Sequence, residues 1–237
     1  MRGPLVKGQL VPGGSGAYAR QMQASGDYET DGYTVIRGLL APEVCNAFLN
    51  QFQEAVQQSG TPLSKLTRTN HLLRREAVEM YGYHFPPMLT LLWGLTPTIA
   101  GLTGRDLLPS YSYFRIYREG DICFVHSDRL SCEHSVSLTL DYSDGVPWPL
   151  EVAREHSEPD ATTQDDFGTA PFASIAMNPG DAVLYQGVHR RHGRITPNPN
   201  AWSAHLFLHW VERGGRFADK AFDGKLGTTR PVNFQFS

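Results

Sequence analysis

Apolar residues follow two different periods along this 237-residue chain. In the first half the spacing is helical. Cys45, Phe48, Leu49, Phe52 and Val56 stand at i, i+3, i+4, i+7 and i+11, the positions of one helix face. Pro42 suits the first turn of that helix and Gly60 its end. A second helical region spans about Met88 to Leu102. Thr96-Pro97 predicts a break there, with threonine as cap and proline as the first position of a new helix. Ahead of both, Asp31-Gly32 introduces a β-branched and aromatic run, Tyr33–Gly38, that reads as a short strand.

From Leu108 onward the period is two. Tyr111, Tyr113, Arg115 and Tyr117 share one face of a strand, with Phe114 and Ile116 on the other. Val136, Leu138 and Leu140 oppose Ser135, Ser137, Thr139 and Asp141. Trp202, Ala204, Leu206, Leu208 and Trp210 form an apolar stripe against Ser203, His205, Phe207 and His209. Strands of this kind, joined by turns such as Asn178-Pro-Gly-Asp181, predict an antiparallel barrel or jelly roll. Residues 151–170 are acidic and polar and read as a long surface loop or lid. Residues 1–17 are rich in Gly and Pro, a flexible lead-in. The expected organisation is one domain over 18–237: helical support at about 41–105, a β core at about 108–212, and an arm at 213–237. Val232, Phe234 and Phe236 suggest an edge strand at the end of that arm.

Composition narrows the class. Hydrophobic residues make up 41% and charged residues 19%, an ordinary globular composition. A formal net charge of −3 gives no reason to expect nucleic acid or an anionic membrane as partner. No apolar run reaches the roughly 20 residues that cross a bilayer. The N-terminus lacks the apolar core of a signal peptide. Cys45, Cys123 and Cys132 are odd in number and irregularly spaced, which points to free thiols and a cytoplasmic address.

The candidate chemistry lies between the periodic strands. In Val125-His-Ser-Asp-Arg129, His126 and Asp128 are two residues apart, so in extended chain they project to one side and could grip one metal ion. A second imidazole would complete the facial triad of non-haem Fe(II) sites. After the turn at 178–181 and the strand that follows, either His189 or His192 could supply it. His134, His205 and His209 read as structural, surface or pocket-lining histidines.

In this order the motifs resemble the Fe(II)/2-oxoglutarate-dependent dioxygenase superfamily, in its prolyl-hydroxylase-like and phytanoyl-hydroxylase-like branches. The resemblance rests on Gly32–Leu40 leading into the Pro42 helix, Tyr113–Tyr117, His126–Glu133, Pro179–Gly187 with His192–Arg194, and His205–Trp210. It implies a mainly β fold with flanking helices, a cupin-like double-stranded β-helix. It also implies Fe(II), O2 and 2-oxoglutarate as co-reactants, and His126, Asp128 and a distal histidine as ligands. Among related sequences the spacing after Gly187 favours His192 over His189. Relatives place an Arg or Lys about nine to eleven residues beyond the distal histidine to hold the far carboxylate of 2-oxoglutarate. Here that window is Ala201-Trp202-Ser203, which departs from the pattern. Arg194 is the expected replacement, then Arg115, then Arg129, with Tyr117 and Thr139 as hydroxyl partners. Tyr113, Arg129 and Trp148 are candidate substrate-pocket residues. The implied reaction is hydroxylation of a small-molecule, amino-acid-like or peptidyl substrate, coupled to decarboxylation of 2-oxoglutarate to succinate and CO2. Asp128 fills the position that related halogenases leave open for chloride, which disfavours halogenation. The competing readings are a cupin-type metal or sugar-binding jelly roll and a catalytically silent protein of the same fold.

Overall fold

The computed structural model describes residues 22–236, so the lead-in expected at 1–17 lies outside the described residues. Twelve strands are defined among them: β1 Gln23–Ser25, β2 Tyr33–Arg37, β3 Thr67–Arg68, β4 Ala77–Tyr81, β5 Leu107–Arg118, β6 Cys123–His126, β7 His134–Tyr142, β8 Leu150–Ala153, β9 Phe172–Ile175, β10 Ala182–Tyr185, β11 His192–Arg194 and β12 Trp202–Glu212. They form an eight-stranded sheet in the order β1-β2-β10-β7-β12-β5-β4-β3 and a four-stranded sheet in the order β6-β11-β8-β9. Every pairing is antiparallel. The architecture is a double-stranded β-helix, the jelly roll that the alternating strands predict.

The period-two faces sort as their chemistry requires. Val136, Leu138, Leu140, Ala204, Leu206, Leu208, Trp210 and Phe114 join one core cluster on the outer face of the large sheet. Helix α1 (Tyr28–Asp31) is a single capped turn. Helices α2 (Pro42–Gln58) and α3 (Pro86–Thr103) supply the other side of that cluster, through Cys45, Phe48, Phe52, Met88, Leu92 and Ile99. The inward faces of β5, β7 and β12 are left to carry polar and aromatic groups. Asp181 fastens the turn before β10: its carboxylate accepts from Gly38 N at 2.9 Å and pairs with Arg37 at 2.9 Å.

Four expectations need correcting. The helix over Pro86–Thr103 is continuous across Pro97. Thr96 caps nothing: its hydroxyl donates back to Leu92 O at 2.9 Å and accepts from Trp210 Nε1 at 2.9 Å. The carbonyl that proline leaves free belongs to Trp93, 52% exposed, where water can satisfy it. Within the expected helical support, β3 and β4 extend the large sheet instead. The acidic segment is a loop only from residue 154, because Glu151, Val152 and Ala153 are buried in β8. That loop is pinned where Gln164 exchanges backbone bonds with Val125, and Phe167 is buried beside it. Finally, Val232, Phe234 and Phe236 are exposed and pair with no strand. All three cysteines are free and buried, as their number and spacing suggest. No helix among the described residues is long and apolar enough to cross a membrane.

Candidate metal centre

β6 ends in His126 and β11 opens with His192, and the two are directly opposed in register. Their rings lie 4.5 Å apart. Asp128 follows β6 and is held by its own N–H, which donates to Gly187 O at 2.9 Å. Its Oδ1 lies 3.8 Å from His126 Nε2 and 3.6 Å from His192 Nε2. The ligand atoms of all three residues fall within 4.8 Å of one another.

Proton positions follow from the partners. His126 Nδ1 contacts Phe124 O at 2.7 Å and His192 Nδ1 contacts Arg190 O at 2.8 Å. A carbonyl only accepts, so each Nδ1 carries the proton and each Nε2 presents a bare lone pair to Asp128. Burial, then neighbouring His192, holds His126 neutral by lowering its pKa to about 3. Burial works against ionisation of Asp128, but the surrounding histidines, His192, His209 and His126, together outweigh it and hold the carboxyl well below the usual range. Three acceptors facing one point without a donor repel one another, and a cation relieves that repulsion. Two imidazoles and a carboxylate therefore fit Fe(II). His189 lies outside this group, stacked on His156 at 4.6 Å with Nδ1 at 3.2 Å from Ser157 O.

Two other groups of ligand-type side chains are equally close among the described residues: Asp128, Cys132, His209 and Glu133, His134, Glu212. Burial pushes the Cys132 thiol well up, so it stays protonated and is a poor ligand. Glu212 already has a cation, the Arg105 guanidinium at 3.6 Å.

Arg194 stands two residues beyond His192 on the same strand face and is 1% exposed. Among the described residues no carboxylate ion-pairs with it. It stacks on Trp148 at 4.9 Å, donates to Trp148 O, and reaches His205 Nδ1 at 3.3 Å. Thr139 Oγ1 donates to the same nitrogen at 3.3 Å. Arg115 is equally buried, but Glu79 takes its charge at 2.6 Å; it also donates to Tyr117 OH at 3.0 Å. Arg129 lies at the surface, over Tyr111 at 3.9 Å and paired with Asp223 at 3.0 Å. Tyr113 stacks on Phe207 at 4.6 Å. Trp148 is fully buried at the Arg194 end, its Nε1 donating to Thr196 O at 2.7 Å. Sequence reasoning left His205 and His209 among the structural, surface or pocket-lining histidines and gave Ser135 no role; the signal was their place on the inward, period-two faces of β7 and β12.

Buried neutral histidines make stability depend on pH. Burial lowers His126 to about 3, and His134 and His209 to about 4, from an ordinary 6.5. The unfolded chain therefore binds more protons below pH 6.5, and stability falls as pH drops from 6.5 towards 4. Urea unfolding of the metal-free protein at pH 7 and pH 5 should show a loss on the order of 2 kcal/mol per histidine. His134→Gln should remove one such share.

No protein-family model matches the chain. No curated protein matches its sequence. Solved structures match its shape. HygX from Streptomyces hygroscopicus, with nickel, 2-oxoglutarate and hygromycin B bound, superposes with a TM-score of 0.58 at 12% identity, over 78% of this chain and 84% of HygX. The non-heme alpha ketoglutarate dependent epimerase SnoN from nogalamycin biosynthesis gives 0.57 at 10% identity, over 88% and 90%. A prolyl-4-hydroxylase of Pseudomonas putida gives 0.52 at 14% identity, over 79% and 96%. The chain has the fold of the Fe(II)/2-oxoglutarate-dependent oxygenases. At such identities the likeness speaks for the fold alone.

Proposed function

We propose that this chain is an Fe(II)- and 2-oxoglutarate-dependent oxygenase that hydroxylates a small-molecule or peptidyl substrate. The observation that carries this reading is the pairing on one strand: a histidine of the converging triad and, two residues on, a buried guanidinium with no carboxylate in ion-pair contact among the described residues. A buried cation needs an anion, and a dicarboxylate chelating the metal would bring one. The net charge of −3 supports a partner other than nucleic acid or an anionic membrane surface.

The residues divide the work. His126 and His192 would hold Fe(II) through Nε2, their rings fixed by carbonyls at Nδ1. Asp128 would offer Oδ1, with Oδ2 occupied by the Ser135 hydroxyl at 3.0 Å. Arg194 would take the far carboxylate of 2-oxoglutarate, with Thr139 beside it and His205 offering Nε2–H. Tyr111, Tyr113 and Phe207 line the interior with stacked rings and keep water out. Bound Fe(II) with O2 would supply the oxidising power for a substrate C–H bond, coupled to conversion of 2-oxoglutarate to succinate and CO2.

Anaerobic spectroscopy tests the reading. Fe(II) with 2-oxoglutarate should give a visible metal-to-ligand charge-transfer band. His126→Ala and His192→Ala should remove it and His189→Ala should keep it. Iron binding without a band at millimolar 2-oxoglutarate would favour the cupin-type or silent alternative.

A further inference from the structure

β12 presents two histidines to the interior, His205 and His209, four residues apart and on one face. In each ring Nδ1 is bonded and Nε2 is buried with no partner. The bonded partners decide where each proton sits, and they decide oppositely.

His205 Nδ1 faces Arg194 Nη2 and Thr139 Oγ1, both at 3.3 Å. A guanidinium only donates. His205 Nδ1 is therefore the acceptor and its Nε2 carries the proton. His209 Nδ1 lies 2.9 Å from Ser135 Oγ. That hydroxyl has one hydrogen and already faces two acceptors, Asp128 Oδ2 at 3.0 Å and Cys132 O at 3.1 Å. Neither a carboxylate nor a carbonyl can donate. Were Nδ1 bare as well, three acceptors would crowd a single hydrogen. His209 therefore donates from Nδ1, and its Nε2 is a bare lone pair. A buried acceptor left unpaired is costly and needs explaining.

We propose that His209 Nε2 reads the substrate of this site by accepting a hydrogen bond from a substrate hydroxyl group. The proposal rests on the oxygenase reading above. His209 shares a cluster with the ligand Asp128 and is linked to its Oδ2 through Ser135 Oγ, so its ring lies beside the metal position. Of the charged donors, an ammonium would face the metal dication. It would also face the Arg129 guanidinium, stacked at 3.9 Å over Tyr111, whose ring stacks at 4.5 Å on His209. A hydroxyl donates without charge. The substrate class is then a neutral, hydroxyl-bearing compound such as a polyol or glycoside.

The test uses protein carrying 15N-histidine, loaded with Zn(II) and 2-oxoglutarate, with glycerol, myo-inositol and methyl glucoside as probes and ethanolamine as the cationic control. Nitrogen shifts should place the proton on Nδ1 of His209 and on Nε2 of His205. A polyol probe should move the His209 Nε2 resonance and ethanolamine should not. His209→Asn keeps a donor near Ser135 and lacks the acceptor; it should weaken polyol binding about tenfold. His209→Gln keeps the acceptor and lacks that donor; polyol binding should stay within about threefold while metal affinity falls. A proton on His209 Nε2 would overturn the proposal. So would a resonance that answers only ethanolamine or no probe, or a His209→Asn variant that binds polyols normally. If the unaltered protein takes up neither metal nor 2-oxoglutarate, the oxygenase reading fails instead, and the tautomer of His209 is still read.

Discussion

Replacing Gly187 by alanine should remove metal binding almost as completely as removing Asp128. A methyl group at Gly187 would collide with Asp128 Oδ2, Ser135 Oγ and the Cys132 carbonyl oxygen at once. The backbone of Gly187 is not in the left-handed region, so space rather than conformation excludes a side chain. The same residue accepts the Asp128 N–H through its carbonyl at 2.9 Å. It therefore fixes the ligand's backbone and leaves room for its side chain. None of the three obstructing atoms is the free end of a long chain, and one is backbone. Asp128 Oδ2 is held by the Ser135 hydroxyl, and Ser135 is 0% exposed on a central strand. The relief open to the molecule is to push the carboxylate away from the histidines. Affinity for Fe(II) or Co(II) should fall at least about 100-fold, since losses behind a single ligand already cost 10–100-fold. Overpacking should cost stability only about 1–3 kcal/mol. Metal titration beside urea unfolding separates the two effects. Retained affinity would mean that Asp128 is not a ligand.

Much of this arrangement is legible in sequence, for a definite reason. β5, β7 and β12 alternate cleanly because one face packs on α2 and α3 while the other lines the site. A period of two then sorts Arg115, Ser137 and His205 inward without any knowledge of the fold. The His126–Asp128 spacing is local and survives folding. What escaped were features decided by long-range packing. Pro97 does not break its helix, because Leu92 and Ile99 on either side are buried in the same core. Glu151 reads as loop residue by charge, yet it is 2% exposed, with Ser174 Oγ and the Ile195 N–H donating to it. Burial raises its pKa and those bonds oppose that. His205 and His209 looked incidental because their importance lies in which partners face each ring nitrogen, and those partners come from other strands.

Arg194 and Arg115 should respond to substitution in opposite ways, and that contrast bears most directly on the cosubstrate site. Both guanidiniums are buried, at 1% and 3% exposure. Arg115 is neutralised by Glu79 at 2.6 Å and is part of the built structure. Arg115→Met should strand a buried carboxylate and cost about 3–5 kcal/mol of stability. Arg194 hydrogen-bonds only neutral groups and Glu151 acts on it without an ion-pair contact, so the metal-free protein already bears the cost of a poorly compensated charge. Arg194→Met removes that charge and loses bonds to Trp148 O and His205. The two effects oppose each other, and stability should change by no more than about 1–2 kcal/mol. Affinity for 2-oxoglutarate should behave in reverse. If Arg194 meets the far carboxylate, its loss leaves a buried anion unpaired, a penalty of about 3–5 kcal/mol, or roughly 10²–10⁴-fold in Kd. Arg194→Lys should recover part of this, since a point charge remains but the planar fork does not. Titration of 2-oxoglutarate into the Fe(II) protein without oxygen, followed by the charge-transfer band, measures the loss directly. An Arg194→Met variant that binds 2-oxoglutarate normally would take the anchor away from β11. A weakened, stably folded variant would instead explain why the chain carries no cation at Ala201, Trp202 or Ser203: the positive charge sits on β11 in the smaller sheet, behind His192, and not at the start of β12 in the larger one.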